Sequence, residues 1–367
     1  MTASVQRDPL RKILLRRGWR GLLAVQVLAG ACLAGGGSAP RVFYGGARAG
    51  DLGGPLVKVK RLRQFFPEHR WRYNLVYALS NAAYLPRPAL ESLGRRRIPI
   101  ILNQNGVFYP GWYAGDWQGQ NAIMAEAYHR ASHVFWQSDF CRRAADRFLG
   151  PRQGAGEVLF NAVDVAHFSP AGALTQRSFT FLVTGKIGRH LGYRLESTIG
   201  GLAHARRAGL DARLRVAGWI EDIGAAREMA DRHGVAGAVD FAGPYSQEEA
   251  PAVYRLADAY VMTKYLDPCP NTVLEAMACG LPVLYSASGG IAELVGSEAG
   301  VGLPLPEDWE RLHIPEAAAV GEGMLRIAGA AATMGVAARD RALRLFDLQR
   351  WIDRHRAVFR EQLEAAA

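Results

Sequence analysis

From Phe179 to Val295 short apolar runs alternate with stretches of helical periodicity, and this alternation constrains the fold more than any other feature of the chain. It predicts strands at Phe179 to Thr184, Leu214 to Ala217, Val239 to Ala242, Ala259 to Met262 and Val283 to Tyr285. Helices are predicted between them, at Glu196 to Ala208, Ile223 to His233, Thr272 to Cys279 and Ile291 to Val295. Strands joined by helices pair in parallel, because a parallel neighbour needs a long crossover and the crossover helix then covers the sheet. Such a doubly wound sheet binds its ligand at the carboxyl ends of its strands.

The first half repeats the logic less clearly. Arg41 to Tyr44 reads as a strand that runs into Gly45-Gly46, then a second glycine pair, Gly53-Gly54, and a helix from Leu56 to Phe66. Strands follow at Tyr73 to Leu79 and at Ile98 to Leu102, the latter ending in Asn103-Gln104-Asn105-Gly106. A short strand from His133 to Trp136 lies between helices at Ala122 to Ala131 and Asp139 to Phe148. With 367 residues, 49% of them hydrophobic, the chain exceeds what one core usually serves. The expectation is α/β architecture with two Rossmann-like domains, residues 41–170 and 171–344, and no internal repeat.

Charge divides the chain. Residues 1–170 carry 23 Lys and Arg against 10 Asp and Glu, whereas residues 171–367 carry 21 against 24. A broad basic face suits anionic lipid headgroups or a phosphorylated lipid; no nucleic acid is expected. Residues 1–40 form a basic and apolar extension in which six cations, from Arg7 to Arg20, precede an apolar stretch from Leu22 to Ala34. That stretch is shorter than a spanning helix needs, and Gly-Gly-Gly after it is a weak cleavage signal. Peripheral attachment fits better, with Leu10, Ile13 and Leu14 on one helical face and arginines reaching anionic lipid; a start codon placed too far upstream fits equally. Cys32, Cys141, Cys269 and Cys279 show neither disulfide nor zinc spacing, so reduced thiols in the cytoplasm are the simplest reading.

The segment Asp267-Pro-Cys-Pro-Asn-Thr-Val-Leu-Glu275-Ala-Met-Ala-Cys-Gly280-Leu-Pro-Val carries the chemistry. Asn271 after Pro270 reads as an N-cap, so a helix beginning at Thr272 turns free N–H groups and its positive end towards an anion such as a diphosphate. Glu275, one turn in, can accept hydrogen bonds from the paired hydroxyls of a ribose. Gly280 ends the helix and Pro282 leads into the next strand. The plain alternative is that Glu275 complements the helix dipole and Asp267 caps a turn.

This segment resembles the signature of the retaining glycosyltransferases of family four, the glycosyl transferases group one. In that signature two acids separated by seven residues precede an Ala-Met-Ala-Cys-Gly-Leu-Pro-Val-type run. Asn161-Ala-Val-Asp-Val-Ala-His-Phe-Ser-Pro170, Gly243 and Ser288-Gly-Gly-Ile-Ala-Glu293 resemble further motifs of the family in its order. The resemblance implies a GT-B fold of two facing Rossmann-like domains with a deep cleft. The donor would be a nucleotide-diphosphate sugar on the second domain and the acceptor would sit on the first. Residues 345–367, the final helix, would pack back on the first domain. Glu275 would hold the ribose and Asp267 the transferred sugar, with Asn271, Thr272, Gly185 and Gly243 completing the donor site. Family members usually carry Glu where Asp267 stands, and Phe-Gly where this chain has Cys269-Pro270.

Gly185-Lys186-Ile-Gly188-Arg189-His190-Leu191-Gly192-Tyr-Arg194 follows a strand, where the family has Gly-Arg and a Lys five residues later to neutralise the leaving diphosphate. Lys186 takes the Arg position, but Leu191 stands in the Lys position, so Arg189 or Arg194 must substitute; a solvated basic turn is the plain alternative. Asn105-Gly106 falls where relatives have His-Gly, and an amide exchanges no proton near neutral pH. The retaining reaction tolerates this, since the departing phosphate takes the acceptor's proton and the protein positions and stabilises charge. No Asp-x-Asp pair occurs, so neither metal nor other cofactor is expected. The rival readings are an epimerase or phosphorylase on the same fold, and a non-catalytic binding protein.

Overall fold

The computed structural model describes residues 10–33, 37–50, 54–82, 85–170, 172 and 178–367, with side chains from residue 18 onward except 54–55. The side chains of Leu10, Ile13 and Leu14, and all of Gly53, lie outside the described residues. The chain divides into two compact units: residues up to Phe160 with Trp309–Arg311 and Gln349–Ala367, and Asn161–Asp308 with Leu312–Leu348.

In the first unit helix α1 (Leu10–Cys32) precedes β1 (Val42–Phe43), α2 (Gly54–Phe65), β2 (Leu75–Leu79), α3 (Arg87–Arg95) and β3 (Ile100–Gln104). Then come α4 (Trp117–Arg130), β4 (His133–Trp136), α5 (Asp139–Phe148) and β5 (Ala155–Val158). The strands form one parallel sheet in the order β1-β2-β3-β4-β5. β2, β3 and β4 are buried along their whole length, as strands covered by helices on both faces must be. The sequence does not announce α3, where Pro86 and Pro88 bracket the start, nor β5, an edge strand of Ala-Gly-Glu-Val without an apolar run.

The second unit begins with Asn161 to Pro170, which the sequence reading had placed in the first domain. Asn161 Nδ2 donates to the Cys269 carbonyl (3.0 Å) and Arg255 Nε to that of Ser169 (2.9 Å), tying the segment down. There follow β6 (Phe179–Thr184), α6 (Tyr193–Arg207), β7 (Ala212–Ala217), α7 (Ile223–Arg232), β8 (Val239–Gly243), α8 (Ala250–Arg255) and β9 (Ala259–Met262). α9 (Asn271–Ala278), β10 (Val283–Ala287), α10 (Ile291–Val295), β11 (Gly300–Pro304) and the long α11 (Ala317–Leu345) complete it. All its strands are parallel, in the order β11-β10-β9-β6-β7-β8. The chain starts in mid-sheet, winds outward to β8, and returns to the other side of β6 with β9. The crevice at the switch therefore opens above the carboxyl ends of β6 and β9. β11, written Gly-Val-Gly-Leu-Pro, sets one β-branched residue among two glycines and a proline and stays hidden in the sequence.

α12 (Leu348–Ala366) returns to the first unit and buries Trp351, Ile352, His355, Val358 and Phe359 there. Phe359 meets Phe66 edge-on at 4.9 Å and Tyr77 at 5.9 Å between centroids. His355, fully buried, fixes the register: its Nδ1 lies 2.8 Å from the Trp351 carbonyl, which can only accept, so Nδ1 carries the proton. Nε2 then accepts from the Tyr77 hydroxyl at 3.0 Å. Burial, foremost, lowers the His355 pKa from 6.5 to about 3.

The folded pKa lies below the unfolded one, so the unfolded chain takes up the proton first and stability is lost as pH falls from 6.5 towards about 3. His133, also lowered mainly by burial, adds in the same direction. Denaturant unfolding of the full chain should show a loss of up to about 4 kcal/mol across that window. His355→Phe should flatten the slope between about pH 6.5 and 4.5, above the carboxylate range; an unchanged slope refutes the assignment.

Candidate functional site

Three glycines with positive φ stand at the carboxyl ends of neighbouring strands: Gly185 (116°) after β6, Gly218 (127°) after β7 and Gly243 (79°) closing β8. A side chain on Gly218 would collide with the Gly185 carbonyl, so only glycine lets the two turns stack. Gly185 N–H donates to Ala217 O (3.1 Å), Gly218 N–H to Gly243 O (2.7 Å) and Ile187 N–H to Trp219 O (2.8 Å). This ladder fixes the basic loop after β6, with Lys186 Nζ exposed 4.7 Å above the Trp219 ring centre.

The two candidate arginines differ sharply. Arg189 points into solvent with its side chain 75% exposed and lies 3.7 Å from Asp222. Arg194, in the first turn of α6, is 4% exposed. Its carbonyl accepts from Thr198 Oγ1 (2.6 Å) and Thr263 Oγ1 (3.3 Å), locking the start of α6 to the end of β9. Its Nε and Nη2 are buried without a hydrogen-bond partner in the protein. A guanidinium never sheds its proton in a protein, and a buried cation without acceptors costs several kcal/mol. Two guanidinium nitrogens of Arg194 are thus left able to donate to an acceptor.

Across the switch point the loop after β9 bends sharply. Leu266 adopts φ 48°, uncommon for a side chain other than glycine, and its N–H donates to Ser288 Oγ at 3.2 Å. This turn buries Asp267, whose Oδ2 accepts from Lys264 Nζ at 2.6 Å and Oδ1 from the Cys269 N–H at 3.1 Å. Asp267 therefore does cap its turn, and it also belongs to an ion pair that the sequence reading missed. Lys264-x-x-Asp267 was the available signal, but i,i+3 charges in a loop carry no fixed geometry.

The start of α9 corrects the reading of Asn271. The cap position is Pro270, and Asn271 is the first helical residue. Pro270 supplies the extended backbone and its carbonyl takes the Val273 N–H (3.1 Å), so Asn271 has no capping bond to make. Asn271 Oδ1 is buried without a partner in the protein. The first turn still directs the N–H groups of Asn271 and Thr272 beyond the helix.

Glu275 is 5% exposed, and its Oε2 accepts from the Tyr254 hydroxyl at 2.9 Å. Thr184 Oγ1 lies 3.2 Å from the Tyr254 and 3.0 Å from the Tyr260 hydroxyl. Burial and then the Glu275 charge hold the Tyr254 phenol well above its ordinary pKa, and Tyr245 is raised by the same causes in the same order. These tyrosines therefore stay neutral hydrogen-bond donors. Burial also pushes the Cys279 thiol up to about 12, so it is no nucleophile. The sequence hid this tyrosine wall because Tyr245, Tyr254 and Tyr260 come from different elements.

In the first unit Asn105 follows β3. Its N–H donates to Ser80 Oγ (2.9 Å), and its Oδ1 accepts from Gln137 Nε2 and, at 3.4 Å, from Lys58 Nζ. Lys58, 6% exposed, also donates to Asn103 Oδ1 at 2.5 Å. With donors on Oδ1, the amide NH₂ is the group Asn105 turns outward. Lys58 and Gln137 were not foreseen, since each is distant in sequence from Asn105. Among the described residues no group of three or more His, Cys, Asp or Glu side chains is placed to hold a metal ion.

Residues 178–313 match the family model of the glycosyl transferases group 1. The second unit therefore carries the sequence pattern of a group 1 glycosyltransferase. It is 25% identical over 302 residues to a glycogen synthase of Mycobacterium tuberculosis, covering 79% of this chain and 69% of that one. A D-inositol 3-phosphate glycosyltransferase of Mycobacteroides abscessus is 32% identical over 111 residues, 29% of this chain and 23% of its own. The fold matches Anabaena HepE solved with UDP at TM-score 0.63 and 18% identity, covering 83% and 81% of the two chains. It also matches a sucrose-phosphate synthase of Thermosynechococcus elongatus at 0.62 and 19%, covering 81% and 75%.

Gly185, Lys186, Arg194, Gly243, Asp267, Asn271, Thr272 and Glu275 lie in the second unit, and Asn105 lies in the first. Lys264→Met should cost about 1 to 2 kcal/mol in denaturant unfolding, between an exposed pair and a buried one. Adding Asp267→Asn should recover part of the loss, and a double variant no more stable than the single one would show that the pair is not coupled.

Proposed function

We propose that this glycosyltransferase moves a sugar from a nucleotide-diphosphate sugar to an acceptor with retention of the anomeric configuration and without a metal. The observation that carries this is the buried Arg194, with two guanidinium nitrogens unpartnered at the switch point between β6 and β9. A diphosphate supplies the acceptors that the protein withholds. Lys186 and the first turn of α9, through Asn271 and Thr272, meet the same group, while Arg189 stays in solvent. Glu275, oriented by Tyr254, receives the ribose hydroxyls. Asp267, steadied by Lys264, meets the transferred sugar.

As the bond between the anomeric carbon and the β-phosphate oxygen breaks, that oxygen gains charge and takes the proton of the incoming acceptor hydroxyl. The chain's task is to stabilise this charge, which Arg194 and Lys186 do without a metal ion. HepE has been solved with UDP and with UDP-glucose, and a uridine nucleotide is accordingly the first donor to test. The acceptor is a lipid-linked or other membrane-borne molecule of cell-envelope synthesis, taken up by the first unit from the cytoplasmic face. The excess of 23 cations over 10 anions in residues 1–170 supports this location.

Titration calorimetry with UDP and other nucleoside diphosphates tests the donor site. Glu275→Gln should weaken binding by about 1 to 3 kcal/mol with the fold intact. Arg194→Gln should lower turnover more than donor affinity, because the charge it meets grows in the transition state, whereas Arg189→Gln should change neither. Equal losses at Arg189 and Arg194 would overturn the assignment. NMR of the products separates transfer with retention from epimerisation.

A further inference from the structure

From Gly21 to Cys32, helix α1 contains no charged residue, and Gln26 is its single strongly polar side chain. Such a helix has two apolar sides, and the first unit covers one of them. Leu23, Val27 and Ala31 are at most 2% exposed, and the Tyr73 hydroxyl donates to the Val27 carbonyl at 2.8 Å. At Gly30 a side chain would stand 2.6 Å from the Tyr73 ring, so the helix and the segment before β2 are in close contact. The helix is therefore a docked part of the unit and not a loose anchor.

The opposite side faces outward. Leu22 is 67% exposed, Val25 68%, Leu28 39% and Leu33 56%, and Trp71, beside the helix, is 54% exposed. Gln26 Nε2 donates to the carbonyl of Arg70, the residue before Trp71, at 3.4 Å. Cations ring this stripe. Arg20 opens it, Arg70 and Arg72 flank Trp71, and Arg96 reaches Cys32 Sγ at 3.1 Å. Among the described residues Arg70 pairs with Glu68 at 3.2 Å, a carboxylate that it shares with Arg63.

We propose that this side of α1, with Trp71 and the surrounding arginines, seats the first unit in the interfacial layer of an anionic lipid membrane. The inference deepens the membrane-borne acceptor of the proposed function and rests on it for its purpose, but its evidence is separate. Twelve uncharged residues make about 18 Å of helix against about 30 Å of hydrocarbon, so this part of α1 lies along the surface and does not cross. No described helix is long and apolar enough to span a bilayer. An apolar stripe with an indole at its edge and arginines at its rim matches the boundary between acyl chains and phosphate headgroups. A second copy of the chain fits worse, because a two-fold contact through this stripe would bring like arginine rims together.

The test uses the full chain with its native Cys32 carrying an environment-sensitive fluorophore; Cys32 is the exposed thiol, and Cys141, Cys269 and Cys279 are buried. Phosphatidylglycerol-containing vesicles should sediment the protein and shift the probe's emission to the blue, while pure phosphatidylcholine vesicles should do neither. Leu22→Gln with Val25→Gln should weaken partitioning about tenfold or more, since each exchange removes apolar area from the buried face. Arg72→Ser with Arg96→Ser should weaken it chiefly at low salt. Three outcomes overturn the proposal: no binding to anionic vesicles, binding with the probe left in water, or unchanged binding of the Leu22/Val25 variant. The last would assign attachment to the basic residues up to Arg20 or to Lys58, Lys60, Arg61 and Arg63. Dimerisation by sedimentation velocity that the Leu22/Val25 exchange abolishes would instead make a second copy the occupant. UDP binding by the same samples keeps the readings apart. A variant that binds UDP but not vesicles isolates the membrane face, and a chain that binds vesicles but no nucleotide leaves this face standing while the donor site fails.

Discussion

All strands of the second unit run in one direction, and the site depends on that constraint before it depends on any side chain. Parallel strands deliver their carboxyl ends to a single edge, so the loops after β6, β7, β8 and β9 meet there although they are far apart in sequence. The order β9-β6-β7-β8 separates the loop after β6 from that after β9, because their crossovers lead to opposite sides. Gly185, Gly218 and Gly243 then keep the loop ends low, and the first turns of α6 and α9 line the gap.

Within that gap, burial decides which groups matter. Arg189 and Arg194 are equally cationic, yet water satisfies the first and the protein leaves part of the second unsatisfied. A buried unpaired cation is a standing cost that an anion removes, which converts the cost into affinity. Glu275 and Asp267 show the complementary arrangement. Each buried carboxylate has its own donor, Tyr254 or Lys264, which orients it. Pre-set donors and acceptors of this kind need no reorganisation as charge develops.

The first unit uses polar groups differently. Lys58, Gln137 and Ser80 hold Asn105 on three sides, so a residue that has no proton to exchange still presents a fixed donor. α12 closes the same unit through His355 and Phe359, and the neutral imidazole works only because Tyr77 donates to it and the Trp351 carbonyl accepts from it. α1 differs: its uncharged part docks one face through Leu23, Val27 and Ala31 and leaves Leu22, Val25 and Leu28 open.

The sequence by itself determined the α/β class, most strands and helices of the second unit, and the segment from Asp267 to Val283. These are legible because local patterns encode them: apolar runs, helical spacing, a proline before a helix and a glycine after it. β6, β9 and α10 fall where that spacing puts them. The edge strands β5 and β11, the proline-bracketed α3, the short α8 and the long α11 escaped. Only the tertiary structure decided that Arg194 and not Arg189 is buried, that Tyr254 serves Glu275 and Lys264 serves Asp267, and that α1 has an inner and an outer face. Each depends on which groups are shielded from water by residues remote in the chain. Shielding sets the strength of every charge and hydrogen bond here, and no local pattern records it.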